Sequence, residues 1–191
     1  MFQQNTIYHV YNQSNQRQVI FRQDVDYTDF EEKLRKHLLP IADILCYCLM
    51  PTHFHIMLLP KGIACQAVRE DNPKVQQLHA AIRIMLSSFT RKLNLRYDSR
   101  GSIFRAKTKY KPAYTDFLPE SWELNEELPF TRYIPYLQVC FKYIHRNPLI
   151  AGLVDSPERW PYGSASDYAS MTDKKICNYQ LTERLLGIRR L

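Results

Sequence analysis

Two histidines separated by a single residue could hold a metal ion together. His53 and His55 lie in the segment HFHIMLL, whose composition is typical of a β-strand. Side chains alternate along a strand, so both imidazoles would face one side, with their Cα atoms about 6.6 Å apart. That separation lets both rings reach one ion. By itself, the pair is equally compatible with two histidines that bind nothing.

A tyrosine and an asparagine form a second candidate pair. Tyr143 and Asn147 are four residues apart in a segment with a helical pattern, so they would share one helix face, about 6 Å apart along the axis. The amide oxygen of Asn147 could be a ligand for a hard cation, which would place Tyr143 beside the metal. Tyrosines in helices ordinarily serve packing, however, and Pro148 predicts that the helix ends at Asn147.

Basic residues form a third group. In the segment RAKTKYK every second residue is basic, so a strand here would carry four positive charges on one face. The four are Arg105, Lys107, Lys109 and Lys111. Such a face could follow DNA phosphates or could be merely solvated. The helix predicted before it adds three candidates for DNA binding, namely Arg91, Lys92 and Arg96.

The composition limits the class of protein. A chain of 191 residues suffices for one compact domain, and a net charge of +7 with a pI of about 9.2 favours a polyanionic partner. Five glycines argue against a glycine-rich phosphate loop. The five cysteines include no CxxC pair, which predicts reduced thiols. Because we find no signal peptide and no apolar run of about 18 residues, we expect a cytoplasmic protein without a membrane partner.

Hydrophobic patterns predict seven elements in the order β-α-β-β-α-β-α. They are a strand at Thr6–Tyr11, a helix at Asp29–Leu39, strands at Ile44–Met50 and His53–Leu59, a helix that follows Asn72 and Pro73 and ends before Gly101, a strand at Ile103–Tyr110 and a helix at Tyr133–Asn147. This order predicts an α+β fold with a ferredoxin-like antiparallel sheet. Two helices would cover one face of that sheet, and the C-terminal helix would carry Tyr143.

Together these motifs resemble a known family, the single-tyrosine transposases of the His-hydrophobic-His class, and most closely their REP-associated branch. The matching stretches occur in the order found in that family and extend from Ile7 to Tyr168. They are YHVYNQ, CLMPTHFHIMLLP, SSFTRKLN, RGSIFRAKTKYK, KYIHRNPLIAGLV and WPYGSASDY. Thr52 stands where the family usually has asparagine, and Lys107 where it often has arginine.

The resemblance implies a mechanism and a set of roles. His53, His55 and Asn147 would bind Mg²⁺ or Mn²⁺, and Tyr143 would attack the scissile phosphate of single-stranded or hairpin DNA. The products would be a 5′-phosphotyrosine link and a free 3′-hydroxyl. Residues 1–170 would be the catalytic domain, with an acidic insertion at 112–130, and residues 171–191 a C-terminal tail. The protein would act as a monomer or a homodimer.

Other classes of protein share parts of this pattern. A domesticated relative could hold hairpin DNA without cutting it, although such a binder has no need for Tyr143. A metal phosphodiesterase with two histidine motifs is disfavoured, because the chain has a single His-x-His. Replication initiators and relaxases share the histidine pair, but one tyrosine beside an Asn-Pro step favours the transposases.

Overall fold

A single antiparallel sheet organises the computed structural model of this chain, which describes residues 1–117 and 130–191. Its strands are β1 (Tyr8–Gln13), β2 (Ala42–Met50), β3 (His53–Pro60) and β4 (Lys109–Pro112), in the order β2-β3-β1-β4. The helices are α1 (Asp24–His37), α2 (Gln77–Arg96), α3 (Ile134–Ile150), α4 (Ala165–Tyr168) and α5 (Tyr179–Leu186). All three strand pairings are antiparallel, so the predicted α+β, ferredoxin-like fold is confirmed.

The hairpin of β2 and β3 gives the sheet two distinct faces. Met50 lies opposite His53 and Cys48 lies opposite His55, so the strands join through a tight turn at Pro51 and Thr52. Because neighbouring side chains alternate, His53 and His55 share one face, and Phe54 lies on the other. The two histidines therefore point to the same side of β3, as predicted.

Helices α1 and α2 cover the face that carries Phe54. Rings of Phe30, Phe54 and Phe89 form a buried aromatic cluster there, with ring centroids 5.0 and 5.1 Å from Phe30. Ion pairs also join the two helices. Arg96 bonds to Asp26 and, at 2.6 Å, to Asp29, while Lys92 bonds to Asp29. These contacts place two of the predicted DNA-binding residues, Lys92 and Arg96, in the junction between α1 and α2.

Helix α3 packs on the opposite face, where the histidine pair lies. Its residues Cys140 and Ile144 are fully buried, and Phe141 contacts the ring of Tyr168 at 5.0 Å. The residues after 170 also contribute to this layer. Helix α5 buries Leu181, Thr182 and Leu186, and the backbone of Asn178 bonds to that of Ile44 in β2.

The last strand is shorter than the predicted Ile103–Tyr110. Pairing between β1 and β4 covers only Lys109 to Pro112, and the side chain of Asn12 then takes the place of backbone bonds before Arg105 bonds to the carbonyl of Gln13. The Asn12 amide donates to the carbonyl of Arg105 at 3.1 Å and to the hydroxyl of Thr108 at 2.9 Å. The prediction that four alternating basic residues share one strand face is therefore wrong. Arg105 and Lys107 precede the strand.

Two helix ends also differ from the predictions. Helix α1 begins at Asp24 instead of Asp29, because Gln23 and Asp26 form a capping box ahead of the predicted start. Helix α3 does not stop at Asn147 but runs through Pro148 to Ile150, and the Asn147 carbonyl accepts a bond from Ala151. Asn147 thus lies within a formed helical turn. Most of the predicted insertion, residues 118–129, lies outside the described residues.

Within the described ranges, no helix combines the length and apolar character needed to cross a membrane.

Candidate active site

The predicted nucleophile and the predicted metal ligands lie together on one face of the sheet. Tyr143 projects from α3 so that its ring centroid is 5.7 Å from that of His55. The rings of His53 and His55 are 5.0 Å apart. Tyr143 is 38% exposed, so a large substrate could reach it from solvent, whereas His55 is buried beneath it. Two segments almost 90 residues apart in sequence therefore meet, as the family resemblance implied.

A third histidine, His9 on β1, completes the cluster and was missed from the sequence. Its Nε2 shares a 2.8 Å hydrogen bond with Nδ1 of His55, and its ring lies 6.2 Å from that of Tyr143. Tyr11, two residues along β1, stacks on the ring of His55 at 5.8 Å. The alternation in YHVY places His9 and Tyr11 on one face. Only the register between β1 and β3 shows which histidine they adjoin.

The Nδ1 atoms of both predicted ligands are held by neighbours. His53 shares a 2.9 Å hydrogen bond with the hydroxyl of Thr52, as His55 does with His9. If each Nδ1 carries its proton and donates it, the lone pair of each Nε2 is left for a metal ion. Such outer bonds are what fix the tautomer and ring orientation of histidine ligands. In such a metal site, Thr52 would therefore orient His53.

The donor set of the site fits an ion that completes its shell with oxygen atoms. Over residues 1–117 and 130–191, no three His, Cys, Asp or Glu side chains come together as a metal cage. The two histidines would therefore need an amide, phosphate or water oxygen beside them. Divalent ions that accept imidazole together with oxygen are compatible with this set.

Asn147 supports Tyr143 from the next helical turn. Its amide nitrogen donates to the backbone carbonyl of Tyr143 at 2.8 Å, and its side chain also hydrogen-bonds to that of Tyr143. The contacts of Asn147 therefore orient the tyrosine, and its half-buried side chain brings an amide oxygen to the same part of α3.

Burial sets the protonation of the cluster. It lowers the pKa of His9 to about 4, lowers the pKa of His53 and, with help from the adjoining histidines, holds the pKa of His55 well below its usual range. All three are therefore neutral at pH 7, which is the state in which a histidine can bind a metal ion. Burial also raises the pKa of Tyr143, and the bond from Asn147 offsets part of the rise. A neutral tyrosine needs activation before it can attack a phosphate.

Apart from Lys92 and Arg96, which join α1 to α2, the predicted DNA-binding residues separate into three groups. Lys109 lies opposite Tyr11 and Lys111 opposite His9, so both face the site, and Lys111 bonds to Asp116 at 2.6 Å. Lys107 is exposed in the bend before β4. Arg91 and Arg105 are exposed at a cavity on the other face of the sheet.

Comparisons with known proteins identify the fold. No family model matches the chain, and no curated protein sequence matches it. The chain is similar to a solved structure of a REP-associated tyrosine transposase bound to a REP hairpin, with a TM-score of 0.59 and 14% sequence identity. The superposition covers 93% of this chain and 94% of that one. The two proteins therefore share a fold over nearly their whole lengths.

Proposed function

We propose that this protein is a metal-dependent enzyme that nicks and rejoins single-stranded DNA next to a hairpin, with Tyr143 as its nucleophile. The observation that carries the proposal is the contact between Tyr143 and His55, with His53 on the same face. A protein that only holds DNA gains nothing from a tyrosine hydroxyl beside two neutral histidines. The hairpin-bound transposase with the same fold supports hairpin DNA as the partner.

The reaction requires one exchange of phosphodiester bonds. The Tyr143 oxygen attacks the scissile phosphorus and loses its proton to solvent, while the bond from phosphorus to the 3′ oxygen breaks. That oxygen takes up a proton and becomes a 3′-hydroxyl, and the fragment on the 3′ side of the break stays joined to the tyrosine through its 5′-phosphate. Because the phosphotyrosine keeps the bond energy, attack by another 3′-hydroxyl restores a phosphodiester without ATP.

The side chains around Tyr143 have distinct parts in this proposal. His53, His55 and the amide oxygen of Asn147 would hold Mg²⁺ or Mn²⁺, which when bound polarises the phosphate. His9 keeps His55 in the tautomer that offers Nε2, and Asn147 orients the tyrosine. Since Tyr143 and His55 of one chain contact each other, the proposal favours a site completed within a monomer.

The test is formation of a covalent complex. A 3′-labelled hairpin with single-stranded flanks is incubated with the protein and Mg²⁺ or Mn²⁺ and resolved under denaturing conditions. We expect a labelled protein band with the wild type and with Tyr136→Phe, a matched change on the same helix. Tyr143→Phe should lose the band yet bind the DNA. Binding without any band in the wild type would instead support the domesticated, non-cleaving alternative.

A further inference from the structure

A large cavity lies on the face of the sheet opposite Tyr143. It has a volume of about 910 Å³ and is bounded by α2, the loop after it and the edge strand β4. Asn12 and Tyr110 reach it because they alternate with Tyr11 and Lys109, which face the candidate active site. The cavity is therefore separate from the site of the proposed reaction but adjoins the same edge of the sheet.

The cavity combines positive charge with an apolar floor. Its floor includes Ile82, Leu86 and Phe104, all buried. Four arginines surround it, namely Arg83, Arg91, Arg100 and Arg105, and Asp98 is its single acidic residue. None of the ion pairs found within the described ranges involves these four arginines.

Basic residues in the neighbouring turn of α2 are engaged differently from the cavity arginines. Lys92 and Arg96 bond to the carboxylates of α1, as expected for residues that stabilise a helix junction. Arg91, in contrast, is exposed and points to the cavity. A second, smaller cavity lined by Lys33, Arg83 and Arg91 continues the positive surface along the helix. Concentrated, unneutralised charge of this kind attracts a polyanion.

The apolar floor favours single-stranded over double-stranded nucleic acid as that polyanion. A base within a duplex has both faces covered by its neighbours, whereas an unpaired base can lay a face on aromatic and aliphatic side chains. Guanidinium groups at the rim then suit the phosphates. Cavities of about 300–1,000 Å³ are of the size that encloses a small ligand, so this one can take single nucleotides but not a double helix.

We propose that this cavity binds unpaired nucleotides that flank the hairpin of the DNA strand joined to Tyr143. The inference rests on the proposed function and adds a second binding subsite to it. The edge strand β4 links the two sites, since Lys109 and Lys111 face Tyr143 while Tyr110 faces the cavity. A strand that crosses this edge contacts both faces of the sheet.

The test measures binding in the Tyr143→Phe background, so that cleavage plays no part. The double variant Arg91→Ala/Arg105→Ala removes two cavity charges. Its matched control, Arg69→Ala/Arg189→Ala, removes two exposed arginines from surface ion pairs elsewhere. Affinity is measured over a range of salt for a hairpin with single-stranded flanks and for the same hairpin without them.

We expect the cavity variant to bind the flanked hairpin about tenfold more weakly, with a salt slope lower by up to about 1.4, from about 0.7 for each lost phosphate contact. Its affinity for the hairpin without flanks should equal that of the control variant. Equal losses on both DNAs, or none on either, would overturn the inference. A covalent band formed by the wild-type Tyr143 would then leave the proposed function standing, so the two failures are distinguishable.

A crosslinking measurement covers the possibility that the double variant misfolds. A 5-iodouracil base placed in the flank is irradiated in complex with the Tyr143→Phe protein. Crosslinks within residues 98–110 or on α2 would support the cavity, and crosslinks confined to the Tyr143 face would contradict it.

Discussion

Nε2 of His9 lies 2.8 Å from Nδ1 of His55, so a histidine outside the His-x-His motif shares a hydrogen bond with one ring nitrogen of the second histidine of that motif. For the lone pair of Nε2 in His55 to be available, Nδ1 must hold the proton and His9 must accept it. In the proposed site, His9 is therefore a positioning residue. Its ring centroid also lies 6.2 Å from that of Tyr143, so His9 adjoins both the proposed ligand and the proposed nucleophile.

Replacing His9 should weaken metal binding without removing a ligand. We expect His9→Ala to reduce Mn²⁺ affinity by about 10- to 100-fold, the usual effect of losing an outer hydrogen bond to a ligand. His9→Gln, which keeps an acceptor, should recover part of it. Titration followed by electron paramagnetic resonance measures both. His53→Ala and His55→Ala should bind Mn²⁺ more weakly still. Full Mn²⁺ affinity in His9→Ala would show that the bond between His9 and His55 does not support metal binding.

The two lysines of β4 should bind DNA more strongly than the lysine that precedes it. Lys109 and Lys111 face Tyr143, whereas Lys107 lies in an exposed bend. Lys109→Ala/Lys111→Ala should weaken single-strand binding and lower the salt slope by up to about 1.4. Lys107→Ala, the control, should change either quantity by less than half as much. A larger effect from Lys107 would mean that DNA follows the bend instead of the strand.

Arg96 should matter for stability. It bonds to Asp26 and Asp29, whose side chains are 0% and 7% exposed, and its loss would leave buried carboxylates without their main partner. We expect Arg96→Ala to lower the free energy of unfolding by about 3–5 kcal/mol. Lys92→Ala, whose side chain is 44% exposed, should cost about 1 kcal/mol or less. Urea unfolding compares them, and equal losses would contradict the burial argument.

His145 should make stability depend on pH. Burial lowers its pKa to about 3, and its Nε2 shares a 2.7 Å hydrogen bond with Ser164. The unfolded chain takes up this proton near pH 6.5 and the folded chain does not, so stability falls as the pH drops from 6.5 towards 3. The slope from this residue is up to about 1.4 kcal/mol per pH unit. Unfolding at pH 7.5 and 5.5 should show a smaller pH dependence in His145→Gln, and an unchanged one would refute the assignment.

The parts of the site that follow from local periodicity could be predicted from the sequence. Alternation along β3 places His53 and His55 together, and the helical repeat joins Tyr143 to Asn147. Their meeting across the chain came from the family resemblance, since no local pattern encodes it. The partner of His55 could not be predicted, because it depends on the register between β1 and β3.

The errors have equally specific causes. The basic segment resembles one strand, but hydrogen bonds from the Asn12 side chain interrupt the ladder, which resumes only at Arg105, and this separates Arg105 from Lys109 and Lys111. Pro148 suggested a helix end, but proline removes only one donor, and Ala151 continues the bonding to the Asn147 carbonyl. Charge alone groups Lys92 and Arg96 with Arg91 as candidates for DNA binding. The sequence does not reveal that carboxylates of α1 lie beside Lys92 and Arg96 and form ion pairs with them.

The most direct measurement identifies the residue that becomes joined to DNA. The covalent product of the wild-type protein and a flanked hairpin is digested with nuclease and protease, and mass spectrometry locates the remaining nucleotide. The proposed mechanism predicts a nucleotide joined through its 5′-phosphate to Tyr143, which is the tyrosine in contact with His55. Attachment to another tyrosine, such as Tyr11, Tyr133 or Tyr136, or a cleaved strand without any attached nucleotide, would contradict it.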